Sequence, residues 1–277
     1  MLGKALHTKS IWKSNLMTDI RLASEAGFGA MEVASSKIWD YLSSGSPLSD
    51  VTERLKQYNM QIISINDIAN VERTDDDAMR NTLAETEKLS AVAQRLGCDC
   101  IQLVPLLALE GRSEDEVIAL TAKNIARICD IGAKYGVRFQ LEPVGWSPIN
   151  SLRLTQKLIQ AVGRDNFGTV IDFFHLFVGG DTTPDDVRHF DPNRIYHIHF
   201  CDCRLPKEGE SFDETILRGM YAGEGEVPLA EWVQAVKDTG YEGWWSYELI
   251  SAKHWQCDVA EVAAETSRLL DKYVLNR

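Results

Sequence analysis

The stretch RFQLEPV, residues 138–144, decides the fold. Alternate side chains of an extended strand share a face, so Gln140 and Glu142 lie on the same side. The apolar Phe139 and Leu141 lie on the opposite face, where packed helices would cover them. Such a strand is typical of a closed parallel barrel, in which the C-terminal strand ends carry the active site. The pattern predicts that Glu142 points into the mouth of a barrel.

Seven further apolar runs occur along the chain, each followed by an amphipathic stretch. The predicted strands are Ala5–His7, Ala30–Val33, Gln61–Ile65, Cys100–Val104, Arg138–Glu142, Gly168–Asp172, Ile195–Phe200 and Trp244–Glu248. The predicted helices are Asp19–Ala26, Leu48–Tyr58, Asp77–Leu96, Glu114–Tyr135, Leu152–Val162, Pro184–Arg188, Leu229–Thr239 and Val259–Tyr273. No glycine-rich dinucleotide fingerprint follows the first strand, which favours a closed barrel over an open doubly wound sheet. We predict an α/β fold, a (β/α)₈ TIM barrel, with residues 1–277 forming a single domain.

The ends of several predicted helices share one signal. Glycine stands directly after the helical pattern at Gly27, Gly97, Gly136 and Gly240. Because glycine adopts positive φ without strain, it is favoured where a helix ends and the chain turns into the next strand. These glycines support the predicted alternation of helix and strand.

The composition indicates a folded, soluble protein and argues against nucleic acid or a membrane as partner. The chain has 29 Lys and Arg residues against 41 Asp and Glu residues, and the formal net charge of −12 repels phosphate backbones and anionic lipids. The N-terminus lacks the basic and apolar segments of a signal peptide. We expect a cytoplasmic enzyme that acts on a small molecule.

Four predicted strands end with a side chain that can bind a metal ion. The alternation that directs Glu142 inward does the same for Asp172, His199 and Glu248. Crowded carboxylates repel one another unless a proton or a cation intervenes. Three carboxylates with one imidazole suit one divalent ion, Mn²⁺ as the first expectation and Mg²⁺, Co²⁺ or Zn²⁺ as alternatives. His197 lies on the same face one layer deeper, where it would support a ligand rather than act as one.

Several motifs together resemble the xylose-isomerase-like superfamily of sugar isomerases and epimerases. They are LEP at 141–143, D-x-x-H at 172–175, H-x-H with a following Asp at 197–202, AGEGEVPL at 222–229 and GYEGWWSYEL at 240–249. The resemblance covers nearly the whole chain. It implies that Glu142, Asp172, His199 and Glu248 are the metal ligands. It also implies that His175 faces the substrate.

The resemblance implies a reaction as well. In the ketose 3-epimerases of this superfamily the two glutamate ligands also act as acid and base, roles that fall here to Glu142 and Glu248. A divalent-metal-dependent isomerase or epimerase of a small sugar or polyol ketone, working through an enediolate, is therefore expected. This chain has Pro148 where those epimerases carry a further glutamate, and Arg204 follows His199 by five residues instead of six. In these features it is closer to the inosose-type branch. Barrels of the superfamily are often dimers or tetramers, which implies a homo-oligomer.

Further residues at the predicted mouth are candidates for substrate contacts. Trp146 could present an apolar wall to a sugar ring, and Arg204 could bind a substrate oxygen. His254 lies in the loop after the last strand, where barrels often complete their sites. Asn66 follows the third predicted strand and could bind a hydroxyl group.

One long irregular segment, Cys203–Pro228, follows the seventh predicted strand. Irregular loops of this length in a compact domain are commonly active-site lids. Within this lid we expect Arg218 to be a solvated charge.

Three other functions can be weighed against an isomerase. A lyase of the inosose or dehydroshikimate dehydratase type would use the same site and the same enediolate. It would expel water or another leaving group from the β-carbon instead of reprotonating the enediolate. An apurinic-site endonuclease would need several metal ions, for which six histidines and the negative charge are poorly suited. A non-catalytic barrel that binds a sugar or a partner protein would bind metal without turnover.

Overall fold

A closed parallel β-barrel forms the centre of the molecule, as predicted. The structure, a computed structural model, describes residues 2–276, so the ends of the predicted domain, Met1 and Arg277, lie outside the described residues. The strands follow one another around the barrel in chain order, and the eighth pairs with the first. They are β1 (Gly3–His7), β2 (Ala30–Ala34), β3 (Ile62–Ala69), β4 (Cys100–Val104), β5 (Arg138–Leu141), β6 (Phe167–Asp172), β7 (Ile195–Phe200) and β8 (Trp244–Tyr247).

Helices surround this barrel. They are α1 (Leu16–Glu25), α2 (Ser35–Ser43), α3 (Leu48–Gln57), α4 (Asp76–Leu96), α5 (Glu114–Gly132), α6 (Leu152–Val162), α7 (Phe173–Gly179), α8 (Pro184–Arg188), α9 (Glu214–Leu217), α10 (Leu229–Asp238) and α11 (Val259–Leu270). The predicted set lacks α2, α7 and α9, which are nine, seven and four residues long. Across residues 2–276, no helix is long and apolar enough to span a bilayer.

Strands β5 and β8 end one residue earlier than predicted. β5 stops at Leu141 and β8 at Tyr247, so Glu142 and Glu248 are the first residues beyond their strands. Both remain anchored to the sheet, because the amide of Glu142 donates to the carbonyl of Leu103 at 3.0 Å. The amide of Glu248 donates in the same way to a β7 carbonyl at 3.1 Å. The two carboxylates therefore stand on rigid backbone.

The barrel interior changes from apolar to polar along its axis. Near the N-terminal ends of the strands, Ala5, Ala30 and Ile63 pack with Trp244. Farther along, the buried side chains are polar: Ser64, Gln102, Gln140, His197 and Ser246. The large apolar core lies outside the barrel, between the strands and the helices. Each Leu, Ile or Phe buried there contributes roughly 1.5–3 kcal/mol, so the helix layer stabilises the fold and the interior is available for chemistry.

The predicted glycine helix ends are confirmed. The φ angles are 81° at Gly27, 72° at Gly97, 69° at Gly136 and 84° at Gly240. These values lie in the left-handed region, where a side chain would strain the backbone. Local sequence thus determines where these helices stop.

The lid is tied to the barrel by Asp202, which follows β7. Its Oδ2 accepts hydrogen bonds from the amides of Gly223 at 2.8 Å and Gly225 at 3.0 Å. Its Oδ1 accepts from the amide of Val227 at 3.2 Å. A Cβ at Gly225 would overlap the Asp202 carboxylate and the carbonyl of Cys203, so only glycine fits at this close approach. The AGEGEV motif therefore folds the end of the lid back onto the barrel.

Candidate metal centre

Four buried side chains converge at the mouth of the barrel. Glu142, Asp172, His199 and Glu248 each offer a ligand atom, and these atoms lie within 4.8 Å of one another. They come from the C-terminal ends of four neighbouring strands, β5 to β8. The structure thus brings together all four residues that the sequence predicts as ligands.

The arrangement centres on Nδ1 of His199. This nitrogen lies 2.9 Å from an oxygen of Glu142, 3.2 Å from one of Asp172 and 3.0 Å from one of Glu248. One ring nitrogen carries at most one hydrogen, so it cannot donate to three carboxylates. Two ligands at right angles on a cation with bonds of about 2.1 Å lie about 3 Å apart, which matches these spacings. The donor set therefore fits a divalent cation.

The position of Asp172 follows from its local sequence. It ends β6 and is also the N-cap of α7, and its Oδ1 accepts the amide hydrogen of His175 at 2.8 Å. This cap satisfies one of the free amides at the helix start. It also holds the carboxylate so that Oδ2 faces His199. The D-x-x-H motif is thus an N-cap that orients a candidate ligand.

A fourth carboxylate, Glu32 of β2, was missed by sequence reasoning. It is fully buried, and its Oε2 lies 2.9 Å from Nε2 of His199. The signal was available, because Glu32 interrupts the apolar run between Met31 and Val33 and by alternation faces inward.

A series of buried hydrogen bonds through two glutamine side chains ends at the carboxylate of Glu142. Nδ1 of His197 lies 2.7 Å from Oε1 of Gln140, and an amide oxygen can only accept, so Nδ1 carries the hydrogen. The amide nitrogen of Gln140 then donates to Gln102 at 3.0 Å. Gln102 in turn donates to Oε2 of Glu142 at 2.9 Å. His197 lies one layer deeper, as predicted, and the series leaves Oε1 of Glu142 to face His199.

Replacing Gln102 by leucine should destabilise the protein by roughly 1–3 kcal/mol, because Gln140 and Glu142 would each lose a buried hydrogen-bond partner. Urea unfolding of the variant and the parent measures this difference. Gln94→Leu on the exposed face of α4 is the matched control and should change the unfolding free energy much less. Equal effects at the two positions would contradict the stabilising role given to this series of hydrogen bonds.

Arg218 corrects the sequence prediction of a solvated lid charge. Its side chain is fully buried, and Nη2 lies 3.1 Å from Asp172 and 2.8 Å from Glu248. Nη1 pairs with Glu214 at 2.9 Å. The prediction was wrong because α9 turns the lid inward, and two buried carboxylates need a counter-charge. The guanidinium also lies over the ring of Phe174, at 4.8 Å from its centroid.

The pKa values of the candidate ligands depend on two opposing effects, burial and the charges of neighbouring side chains. Burial raises the pKa of Glu142. Burial would also raise the pKa of Asp172 and of Glu248, but the guanidinium of Arg218 and the neighbouring histidines together outweigh burial, and both pKa values are lowered. Burial opposes protonation of His199, yet the carboxylates around it raise its pKa well above the usual value. The centre thus attracts positive charge.

A second cation and a further histidine stand beside Glu248. Nζ of Lys9 lies 3.8 Å from Glu248 and 4.0 Å from Asp67. Nδ1 of His7 accepts the amide hydrogen of Lys9 at 3.2 Å, which leaves its Nε2 facing Glu248 at 3.3 Å. Burial lowers the pKa of His7 to about 4, so this ring is neutral at pH 7. Lys9 was not recognised from the sequence, although it follows β1 by only two residues.

One predicted substrate residue, His175, lies beside Glu142, and a second, Trp146, packs against His175. Nε2 of His175 lies 4.0 Å from Glu142 and 3.9 Å from Glu214 of the lid. The ring of Trp146, 47% exposed, packs edge-on against His175 and against Phe212 of the lid, with centroids 5.0 and 4.8 Å apart.

The other predicted substrate residues are held by different partners. Arg204 forms a bidentate ion pair with Glu210 inside the lid, with its two terminal nitrogens 2.6 and 2.7 Å from the two carboxylate oxygens. His254 lies 2.7 Å from the hydroxyl of Ser251 and packs on Tyr221. Asn66 is buried, and its amide nitrogen lies 3.5 Å from Glu32. The structure does not bring these three side chains to the four candidate ligands.

The amino-acid sequence is similar to those of known proteins. The xylose isomerase-like TIM barrel family model matches residues 20–273, and the chain belongs to this family. The chain is 26% identical to inosose isomerase of Bacillus velezensis over 95% of this chain and 94% of the relative. It is 21% identical to 3-dehydroshikimate dehydratase of Pseudomonas putida over 90% of this chain but only 38% of that protein. These relatives are enzymes, and we place this chain among them as an enzyme.

Solved structures share the fold. A structure of the IOLI protein with bound zinc superposes with a TM-score of 0.89 and 22% identity, covering 98% of this chain and 99% of that one. A D-psicose 3-epimerase from Clostridium cellulolyticum, solved with D-tagatose, gives a TM-score of 0.79 and 18% identity over 99% of each chain. At these identities the likeness concerns the barrel itself.

Proposed function

We propose that this chain is a divalent-metal-dependent isomerase or epimerase of a small sugar or polyol ketone. The observation that carries this proposal is the buried cluster of Glu142, Asp172, His199 and Glu248, whose ligand atoms lie within 4.8 Å. These residues would hold one ion, with Mn²⁺ as the first expectation and Mg²⁺, Co²⁺ or Zn²⁺ as alternatives. When bound, the ion would polarise a carbonyl and its adjacent hydroxyl, which acidifies the C–H bond between them. The inosose isomerase relatives and the zinc-bound neighbour support this assignment.

Glu142 and Glu248 would move the proton. One carboxylate removes the proton from the carbon next to the carbonyl, and the C–H electron pair stays on the substrate as an enediolate. Return of a proton to the neighbouring carbon gives an isomer, and return to the opposite face of the same carbon gives an epimer. No electrons leave the substrate, so the reaction needs no redox cofactor.

The surrounding residues would position the substrate. His175 and Trp146 stand above Glu142 and would contact the sugar ring or its hydroxyls. Asn66 is buried next to Glu32, and its amide oxygen has no hydrogen-bond partner among the described residues. We also propose Arg204 and His254 as substrate contacts. Each would have to release its present partner before it could bind the substrate.

A dehydratase is the second candidate, favoured by the relative that dehydrates 3-dehydroshikimate. In the same enediolate a C=C bond can form between the deprotonated carbon and the adjacent β-carbon while the C–O bond of the β-carbon breaks and hydroxide leaves. A proton from an acid such as Glu248 turns that hydroxide into water. The product would then lack one molecule of water relative to the substrate, so mass spectrometry of the products separates the two reactions.

The test is proton exchange in deuterated water with a panel of inososes and ketoses. We expect deuterium to enter one substrate at the carbon next to its carbonyl, only when the protein carries about one divalent ion per chain. NMR follows the exchange, and elemental analysis measures the metal. A metal-free protein with no exchange in any substrate would overturn the proposal.

A further inference from the structure

Glu32 is a buried carboxylate that the proposed chemistry does not use. It lies in the middle of β2, in register with His7 of β1 and Ser64 of β3, and its side chain is fully buried. A buried carboxylate is costly unless it is paired or hydrogen-bonded. The contacts of this side chain should therefore indicate why it is there.

Its strongest contact is with the ring of His199. Oε2 of Glu32 lies 2.9 Å from Nε2 of His199. Its other oxygen, Oε1, is 3.5 Å from the amide nitrogen of Asn66 and 3.8 Å from Nε2 of His7. An ionised carboxylate only accepts hydrogen bonds, so Nε2 of His199 must carry the hydrogen that joins the two residues.

The two nitrogens of His199 thus face different environments. Nε2 donates to Glu32, while Nδ1 lies among the oxygens of Glu142, Asp172 and Glu248. In a neutral imidazole one nitrogen carries the hydrogen and the other has a free lone pair. A hydrogen held on Nε2 leaves the lone pair of Nδ1 directed at the three carboxylates.

We propose that Glu32 is a positioning residue that fixes the tautomer and ring orientation of His199, so that Nδ1 is the metal ligand. This inference rests on the proposed metal centre. A carboxylate that accepts from the outer nitrogen of a ligating imidazole also makes that imidazole a stronger ligand. Glu32 therefore acts on the ion through His199 and does not contact the substrate.

A second reading makes Glu32 itself a ligand, because His7, Glu32 and His199 also form a group whose ligand atoms lie within 4.8 Å. An ion in that group would take Nε2 of His199, which the four-residue centre leaves to Glu32. A neutral imidazole has one lone pair to offer, so the two groups compete for the same ring. Three carboxylates lie around Nδ1, whereas one carboxylate, that of Glu32, lies at Nε2, and this favours the Nδ1 centre.

The first test compares zinc and manganese affinity in the parent, in Glu32→Gln and in Glu72→Gln. Glu72 is equally buried but accepts from the backbone amide of Leu107 away from His199, so it is a matched control. We expect Glu32→Gln to weaken binding about 10- to 100-fold, because the uncharged amide holds the tautomer poorly. The control should bind as the parent does. Equal affinity in the parent and Glu32→Gln would overturn the inference while leaving the metal centre in place.

The second test needs no variant and holds even if Glu32→Gln fails to fold. In the zinc-loaded parent, labelled with ¹⁵N at its histidines, we expect His199 to show a metal-bound Nδ1 and a hydrogen on Nε2. A metal-bound Nε2 would overturn the inference and favour the alternative group with His7. A parent that binds neither ion would overturn the proposed function together with this inference.

Discussion

Glu248→Gln is expected to lower metal-dependent proton exchange by about a thousandfold or more. Glutamine occupies nearly the same volume but cannot accept a proton, and general acid–base groups contribute about 10²- to 10⁴-fold to such reactions. The variant also removes one of the three carboxylates around His199, which should weaken metal binding. Deuterium incorporation measured by NMR, at saturating metal and substrate, gives the ratio of the two rates.

Two comparisons make the Glu248 result specific. Glu72→Gln changes an equally buried glutamate outside the centre and should leave the exchange rate near that of the parent. Circular dichroism checks that Glu248→Gln is folded. If the folded variant with bound metal still exchanged protons within tenfold of the parent, Glu248 would not be the acid or base.

Arg218→Met should produce the largest loss of stability, about 3–5 kcal/mol in the metal-free protein. The guanidinium is fully buried and pairs with both Asp172 and Glu248, so its removal leaves carboxylates buried without their counter-charge. A bound divalent ion supplies positive charge to the same two carboxylates. We therefore expect the loss to be much smaller when the protein is saturated with metal.

Urea unfolding of Arg218→Met in the presence of a chelator, and again with saturating zinc or manganese, measures both losses. Arg204→Met is the matched control, because Arg204 also lies in the lid but forms its ion pair with Glu210, near the surface. Its substitution should change the unfolding free energy little in either condition. An equal loss for Arg218→Met with and without metal would show that Arg218 does not share its role with an ion.

Sequence alone was sufficient for the barrel and for the four candidate ligands. A strand's alternation is a local property, so RFQLE already directs Glu142 inward, and the same rule brings Asp172, His199 and Glu248 to one mouth. Glycine helix ends are equally local, because positive φ at Gly97 depends on a single residue. Parallel strands in chain order then leave little freedom in how the pieces assemble.

Only the tertiary structure decided between the two lid arginines. Arg204 and Arg218 are both charged residues in an irregular segment, and no periodicity directs either one inward. Asp202 gathers the lid amides and α9 turns the chain, which carries Arg218 to Asp172 and Glu248 while Arg204 remains with Glu210. Such long-range pairing depends on how distant segments meet.

The partners of the ligands were decided in the same way. Alternation places Glu32 and Gln102 inside the barrel, but it does not tell which neighbour each will contact. That choice depends on the stagger between strands, which sets Glu32 against His199 and Gln102 against Glu142. The sequence by itself determined which residues face the mouth, and the closed barrel determined how their hydrogen bonds are shared, because strand register is a property of the whole sheet.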